Sequence, residues 1–348
     1  MSNTENSDNP FAGQTIDLLN ERVGGKALEC SDEWFAECAG LVKQSDPVFK
    51  QGHFVPTGQW MDGWESRRSY GRAAHRSGKR DYDWCTLKLG MPGVIKGFDI
   101  ETTHFRGNAP EYASIEGAWE NGDLNENTEW FEVLGKQATA AHSHNFYAAA
   151  SELPCTHLRL KIFPDGGVAR LRAYGNARVN PANFIDGELL DLASVMNGGV
   201  GLDCSDRFYS SPSNLLMPNK GINMGDGWET KRRRDEDNDW CIVKLGLTGT
   251  IRKVIIDTAH FKGNFPDTVS LEATLTDRTD ITAADIQWHN VIGRVAVNAD
   301  AEHLYIKQIQ TDPEQKFNHV RLNIYPDGGI SRLRILGFPD WKASGVIS

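Results

Sequence analysis

Residues 161–175 read KIFPDGGVARLRAYG, and residues 323–337 read NIYPDGGISRLRILG. The same Pro-Asp-Gly-Gly turn and the same arginine pair occur twice. Working outward, residues 60–68 (WMDGWESRR) match residues 223–232 (NMGDGWETKR), and residues 103–108 (THFRGN) match residues 259–264 (AHFKGN). Three blocks recur in one order, as expected of a domain duplicated and fused. The repeated polar segments are therefore where function is first sought.

Asp17 aligns with Asp191 and Gly175 with Gly337, which sets the expected boundaries. A leader covers 1–14, the first repeat 15–179, a linker 180–188, the second repeat 189–342 and a tail 343–348. At 348 residues the chain is long enough for two separate cores. The leader is rich in Ser, Asn, Asp and Glu and reads as disordered, without the basic start and apolar run of a secretory signal. No stretch approaches the ~20 apolar residues that cross a membrane. A cytosolic protein is expected, with no membrane partner. The formal net charge of −10 argues against a nucleic-acid partner, which needs a basic field.

Short apolar runs alternate with period two: WCTLKLG, VIKGFDIET, YASIEGAW, THLRLKIFP and VARLRAYG in the first copy, with five counterparts in the second. This is the pattern of half-buried strands. The expected fold class is all-β, as tandem β-sandwich or jelly-roll domains; a barrel has the same spacing. Asp-Gly in PDGG predicts a tight hairpin turn between its flanking strands. Residues 28–40 predict one turn or a short helix, with Asp32 as N-cap. The copies differ most after Arg68 and Arg232, where the first is eight residues longer and carries Arg72, His75, Arg76, Lys79 and Arg80. Of the six cysteines, Cys30 matches Cys204 and Cys85 matches Cys241, with no CxxC spacing. Cys85 and Cys241 read as small buried hydrophobes.

Three groups of residues offer chemistry. Asp62, Glu65, Arg67 and Arg68 surround Trp64, and Asp226, Glu229, Lys231 and Arg232 surround Trp228. Guanidinium groups clamp carboxylates bidentately, so both sets are candidate substrate-binding residues; a salt-bridged loop under a plugging Trp is the structural alternative. Glu101 stands three residues before His104, and Asp257 three before His260. If the chain turns after the strand, each acid can fix its imidazole and leave one nitrogen for proton transfer. These four are the candidate catalytic residues. Arg170, Arg172, Arg332 and Arg334 line one strand face in each copy and serve either a groove or surface ion pairs. His142 and His144, without counterpart, are spaced as HxH and form a weak metal pair. No metal site is assigned and no cofactor is required by the sequence, while a divalent metal remains open.

Taken together, GQWMDGWESRR, THFRGN, IFPDGG, their second-copy partners and SDRF at 205–208 resemble the allantoicase family, from Ile16 to Gly337. The first copy departs from the pattern with SDEWF at 31–35. The resemblance implies a pair of galactose-binding-like jelly rolls. It also implies hydrolysis of allantoate to ureidoglycolate and urea, in purine and allantoin degradation. The alternatives are a non-catalytic tandem ligand-binding protein and an enzyme acting on ureidoglycolate. Allantoate carries a carboxylate and two ureido groups on one carbon. Its hydrolysis needs a proton for the leaving nitrogen, a base for water and a clamp for the carboxylate. Chemical type gives the clamp to the Arg67/Arg68 and Lys231/Arg232 pairs, proton transfer to His104 and His260, and ureido contacts to the DGWE acids. The expected assembly is a homo-oligomer.

Overall fold

The computed structural model describes residues 9–68 and 81–347. The basic loop with Arg72, His75, Arg76, Lys79 and Arg80 lies outside the described residues. The chain divides into two compact units: Thr15–Arg178, and the chain from Val179 together with the described residues ahead of Thr15. Each is a β-sandwich of strands joined by turns and short 3-10 segments.

In the first unit one strand, Asp83–Glu101, serves both layers. Its first half pairs with Lys26–Cys30 and Pro154–Phe163, and the latter leads on to Tyr112–Ala118 and Phe131–Ala138. Its second half pairs with Arg170–Ala177 and Phe146–Ala148, and Arg170–Ala177 pairs with Ile16–Asp17. Two alternating runs in the sequence are thus one strand whose partners change near Gly93, where it passes from one layer to the other. The second unit repeats this arrangement around Asp239–Asp257.

Alternation buries Cys85, Leu87, Leu89, Phe98 and Ile100 in the core. At the strand's end the outer face is covered too: Asp99 is 3% exposed and Glu101 5%. Trp64 and Trp228 are fully buried and donate Nε1–H to the carbonyls of Asp32 (2.8 Å) and Asp206 (2.9 Å).

Two local expectations are corrected. PDGG is not a hairpin, because Pro154–Phe163 and Arg170–Ala177 each pair with the long strand rather than with each other. The turn feeds Gly167–Val168, which pairs with Trp64–Glu65. The turn or short helix expected over residues 28–40 is a strand end, a loop and a 3-10 turn at Cys38–Val42. Asp32 accepts from the Trp34 and Arg67 amides, so its capping capacity goes to a loop.

Arg170 is fully buried and its Nη2 reaches Asp62 Oδ2 at 2.9 Å; Arg332 and Asp226 repeat the pair at 2.8 Å. Breaking such a pair leaves an uncompensated buried charge. Arg170→Ala is expected to destabilise the first unit by ~3–5 kcal/mol, and Arg170→Met with Asp62→Leu to recover only part of it, because the Ser45, Asp62 and Ala169 carbonyls stay without their donor. Urea unfolding measures both; a loss under ~1 kcal/mol in the single variant would contradict the assignment.

Candidate functional site

The three repeated segments meet at one end of each sandwich. In the first repeat the Ser66 amide donates to Gly166 O (3.1 Å), the Gly167 amide to Asn108 O (2.7 Å), and Asn108 Nδ2 to Glu65 Oε1 (2.7 Å). Gly166 has φ 136°, and a Cβ there would meet Asn108 O at 2.7 Å, so only glycine lets PDGG lie against HFRGN. The second repeat matches this with Gly328 and with Asn264 bonded to Glu229. Burial raises the carboxyl pKa of both Glu65 and Glu229 against the opposing amide bonds.

A strap of chain crosses the outer face of the terminal strands. In the first repeat it is residues 43–49. Arg172 donates to Lys43 O (2.5 Å) and Gln44 O (3.1 Å), Arg170 to Ser45 O (2.9 Å), and Asp62 accepts from the Val48 amide (3.0 Å). His104 Nε2 meets Pro47 O at 3.2 Å. In the second repeat Arg334, Arg332, Asp226 and His260 hold residues 217–222 through the corresponding contacts.

These contacts reassign several expected site residues. Asp62 and Asp226 are buried anchors of the strap. Against burial, which would raise it, the Arg170 guanidinium holds the Asp62 carboxyl low. Arg67 is committed to Asp32 (2.6 Å) and Lys231 to Asp206 (3.3 Å). Arg68 and Arg232 are exposed, and among the described residues no ion pair holds either; Arg68 donates to Gly107 O at 2.8 Å. The expected pairing of Glu101 with His104, and of Asp257 with His260, does not form. Both histidines have φ 73° and turn their rings to strap carbonyls, and Asp257 accepts from the Ala259 amide (2.8 Å).

Glu101 instead meets a histidine from another loop. His144 Nδ1 lies 2.6 Å from Asp99 Oδ2, and its Nε2 lies 3.7 Å from Glu101 Oε1. Asp99 and Glu101 are two apart on one strand face, opposite Arg172 and Arg170 in the ladder. The Asp99 hydrogen bond raises the His144 pKa, opposed by partial burial and helped by the charges of Glu101 and Asp46. Burial raises Glu101, with Asp99 adding to it and His144 and Arg172 opposing. The ring is half-exposed, while both carboxylates are buried.

His142 does not join it. His142 Nδ1 accepts the His104 amide (2.8 Å) and its Nε2 faces Arg106 (2.9 Å), so the HxH spacing makes no metal pair. Asp99, Glu101 and His144 could hold a cation, their donor atoms lying within 4.8 Å of one another, and the Asp99–His144 bond also satisfies them without one.

The second repeat lacks the group. The ladder puts Ile255 at the place of Asp99 and Glu302 at that of His144, and the strap puts Lys220 at that of Asp46. The signal for Asp99 was a second acid two residues before Glu101, present in one copy only.

Comparison with known proteins agrees with this architecture. A family model described as the allantoicase repeat matches residues 16–178 and 190–340. Allantoicase of Dictyostelium discoideum is 42% identical over 342 residues, covering 95% of this chain and 89% of that protein. A probable allantoicase of Pseudomonas fluorescens is 44% identical over 326 residues, covering 92% and 96%. The crystal structure of allantoicase from Saccharomyces cerevisiae, 34% identical, matches with a TM-score of 0.77 over 93% of each chain.

The His144 environment has a pH consequence. Its folded pKa is raised above 6.5, so its contribution to stability is full below that value and is lost as pH rises through the folded pKa. Imidazole NMR titration is expected to show His144 above 6.5, and Asp99→Asn is expected to bring it down. A His144 titration unchanged by Asp99→Asn would contradict the geometry.

Proposed function

The chain belongs to the allantoicase family, and we propose that Asp99, Glu101 and His144 of the first repeat supply the proton transfers of its reaction. The enzyme hydrolyses allantoate to ureidoglycolate and urea, a step of purine degradation. The observation that carries the site reading is His144, half-exposed and bridging two buried carboxylates.

Water's oxygen must end on the central carbon, and the departing urea nitrogen must gain a proton. His144, its Nδ1 held by Asp99 and its pKa raised by that bond, donates a proton to the leaving nitrogen. Glu101 accepts the proton that water gives up as its oxygen bonds to carbon. The 3.7 Å between Glu101 and His144 lets that proton return to the imidazole, which restores the starting state. Arg68, exposed and unpaired among the described residues, takes the substrate carboxylate, and Glu65 and Asn108 take ureido groups. His104 and His260 are positioning residues that hold their straps. Asp257, Glu229, Lys231 and Arg232 form the corresponding rim of the second repeat, where no imidazole stands beside the acid.

His144→Ala and Glu101→Gln are each expected to lower kcat by ~10²–10⁴. Glu302→Gln, at the matched position, is expected to change it little. Arg68→Ala is expected to cost ~2–5 kcal/mol of transition-state binding, ~30-fold to several thousand-fold, and Arg232→Ala far less. Urea release from allantoate reads all four. Equal losses from the two arginines, or turnover of ureidoglycolate in place of allantoate, would overturn the reading. Activity is expected to survive exhaustive chelation, and restoration by one divalent ion after loss would reverse that expectation.

The reading extends to assembly and location. A homo-oligomer is supported by the general closure of soluble chains by symmetry, and light scattering returning the mass of one chain would contradict it. Placement in the cytosol is supported by six free thiols; among the described residues no helix is long and apolar enough to cross a membrane.

A further inference from the structure

Three thiols from three separate elements meet in the first repeat, away from the acid–base group. Cys30 ends the strand Lys26–Cys30 and stands directly opposite Cys85 of the long strand, so their side chains share a face. Cys38 opens the 3-10 turn that packs on that strand, which brings its thiol to that of Cys30. Glu33 closes the group. Its Oε2 accepts the Cys38 amide at 3.0 Å and its other oxygen remains for a further partner. The donor atoms of Cys30, Glu33 and Cys38 all lie within 4.8 Å of one another. Glu33 is exposed and Cys30 half-buried, which gives an ion a way in.

We propose that Cys30, Glu33 and Cys38 bind a borderline-soft divalent cation of the zinc type, with Cys85 opposite Cys30 in the ladder as a fourth donor. Thiolates select such ions over magnesium or calcium. Tetrahedral zinc with ~2.3 Å bonds to sulfur sets its sulfur ligands ~3.8 Å apart, and the donor atoms of this group lie within 4.8 Å of one another. The bound ion ties the loop ahead of the 3-10 turn to the strand pair beneath it.

The second repeat is a built-in control. Cys204 stands opposite Cys241 in the same ladder position. The 3-10 turn Pro212–Leu216 puts Pro212 where Cys38 stands, and Arg207 replaces Glu33. Two of the three donors are gone, and a guanidinium lies against Cys204. One ion per chain is therefore expected. No spacing motif announces the site, because its donors converge through the ladder and a turn rather than along the chain.

The test uses the full chain, purified under reducing conditions, stripped with chelator and titrated with Co²⁺ and then Zn²⁺. The expected result is one equivalent of Co²⁺ with the intense visible bands of thiolate coordination, displaced by Zn²⁺. Cys38→Ser and Glu33→Ala are each expected to weaken binding by at least about 100-fold, and Cys204→Ser to leave it unchanged. Glu33 is exposed, so its substitution does not endanger the core, and urea release from allantoate reports folding in every variant. The proposal is overturned if wild-type protein shows no thiolate band or if either Cys38→Ser or Glu33→Ala binds as tightly as wild type. A Cys30–Cys38 disulfide in place of the free thiols would overturn it equally.

Discussion

A guanidinium with no exposed surface has to find its partners inside the protein, and that requirement organises one end of each sandwich. Arg170 donates Nε–H to Ser45 O, Nη1–H to Ala169 O and Asp62 O, and Nη2–H to the Asp62 carboxylate. Arg332 does the same with Asn219, Ser331 and Asp226. Each arginine joins a terminal strand, a strap and a DGWE loop that are distant in sequence. Removing the side chain would leave buried carbonyls and a buried carboxylate without donors. The recurrence of DGW and RLR follows from this need.

What the copies share is thus mainly scaffold. Trp64 bonds to the Asp32 carbonyl, Asn108 to Glu65 and Arg170 to the strap at Ser45, and their counterparts do the same. What the copies do not share lies under the strap. Asp99, His144 and Asp46 face Ile255, Glu302 and Lys220 at matched positions. Internal repetition marks one end of each sandwich, and the copies differ in chemistry at matched positions there.

The layer architecture was legible because alternation reports which strand faces are covered, and two copies supplied the same pattern twice. Pairing partners were less legible. Period two in residues 84–102 describes an extended chain and contains nothing to say that it is one strand shared by two layers. PDGG reads as a hairpin because turn chemistry is local, whereas its flanking strands are separated in the ladder by the long strand. The site shows the same division. Glu101 was recognisable as an acid at a strand end. Its partner was not, because His144 arrives from a loop 45 residues beyond Asp99. The nearer His104 adopts φ 73°, and its ring goes to a strap carbonyl. Spacing within a segment cannot anticipate a left-handed residue that redirects its side chain.

The balance of charge under the strap gives the asymmetry a physical basis. In the first repeat Asp17, Asp99, Glu101 and Asp46 surround one guanidinium, Arg172, and one imidazole. Negative charge is in excess, and Glu101, by its burial, and His144, by its bond to Asp99, are both raised. In the second repeat Asp191, Asp257 and Glu302 stand with Arg334 and Arg332, and Lys220 replaces Asp46 on the strap. Replacing Asp99 by Ile255 removes one buried acid and replacing Asp46 adds one cation, so the excess that favours protonation is relieved. A buried surplus of like charge works against folding and is retained where something uses it. The scaffold is the same in both copies, so the less comfortable charge balance of the first is the main chemical difference between them.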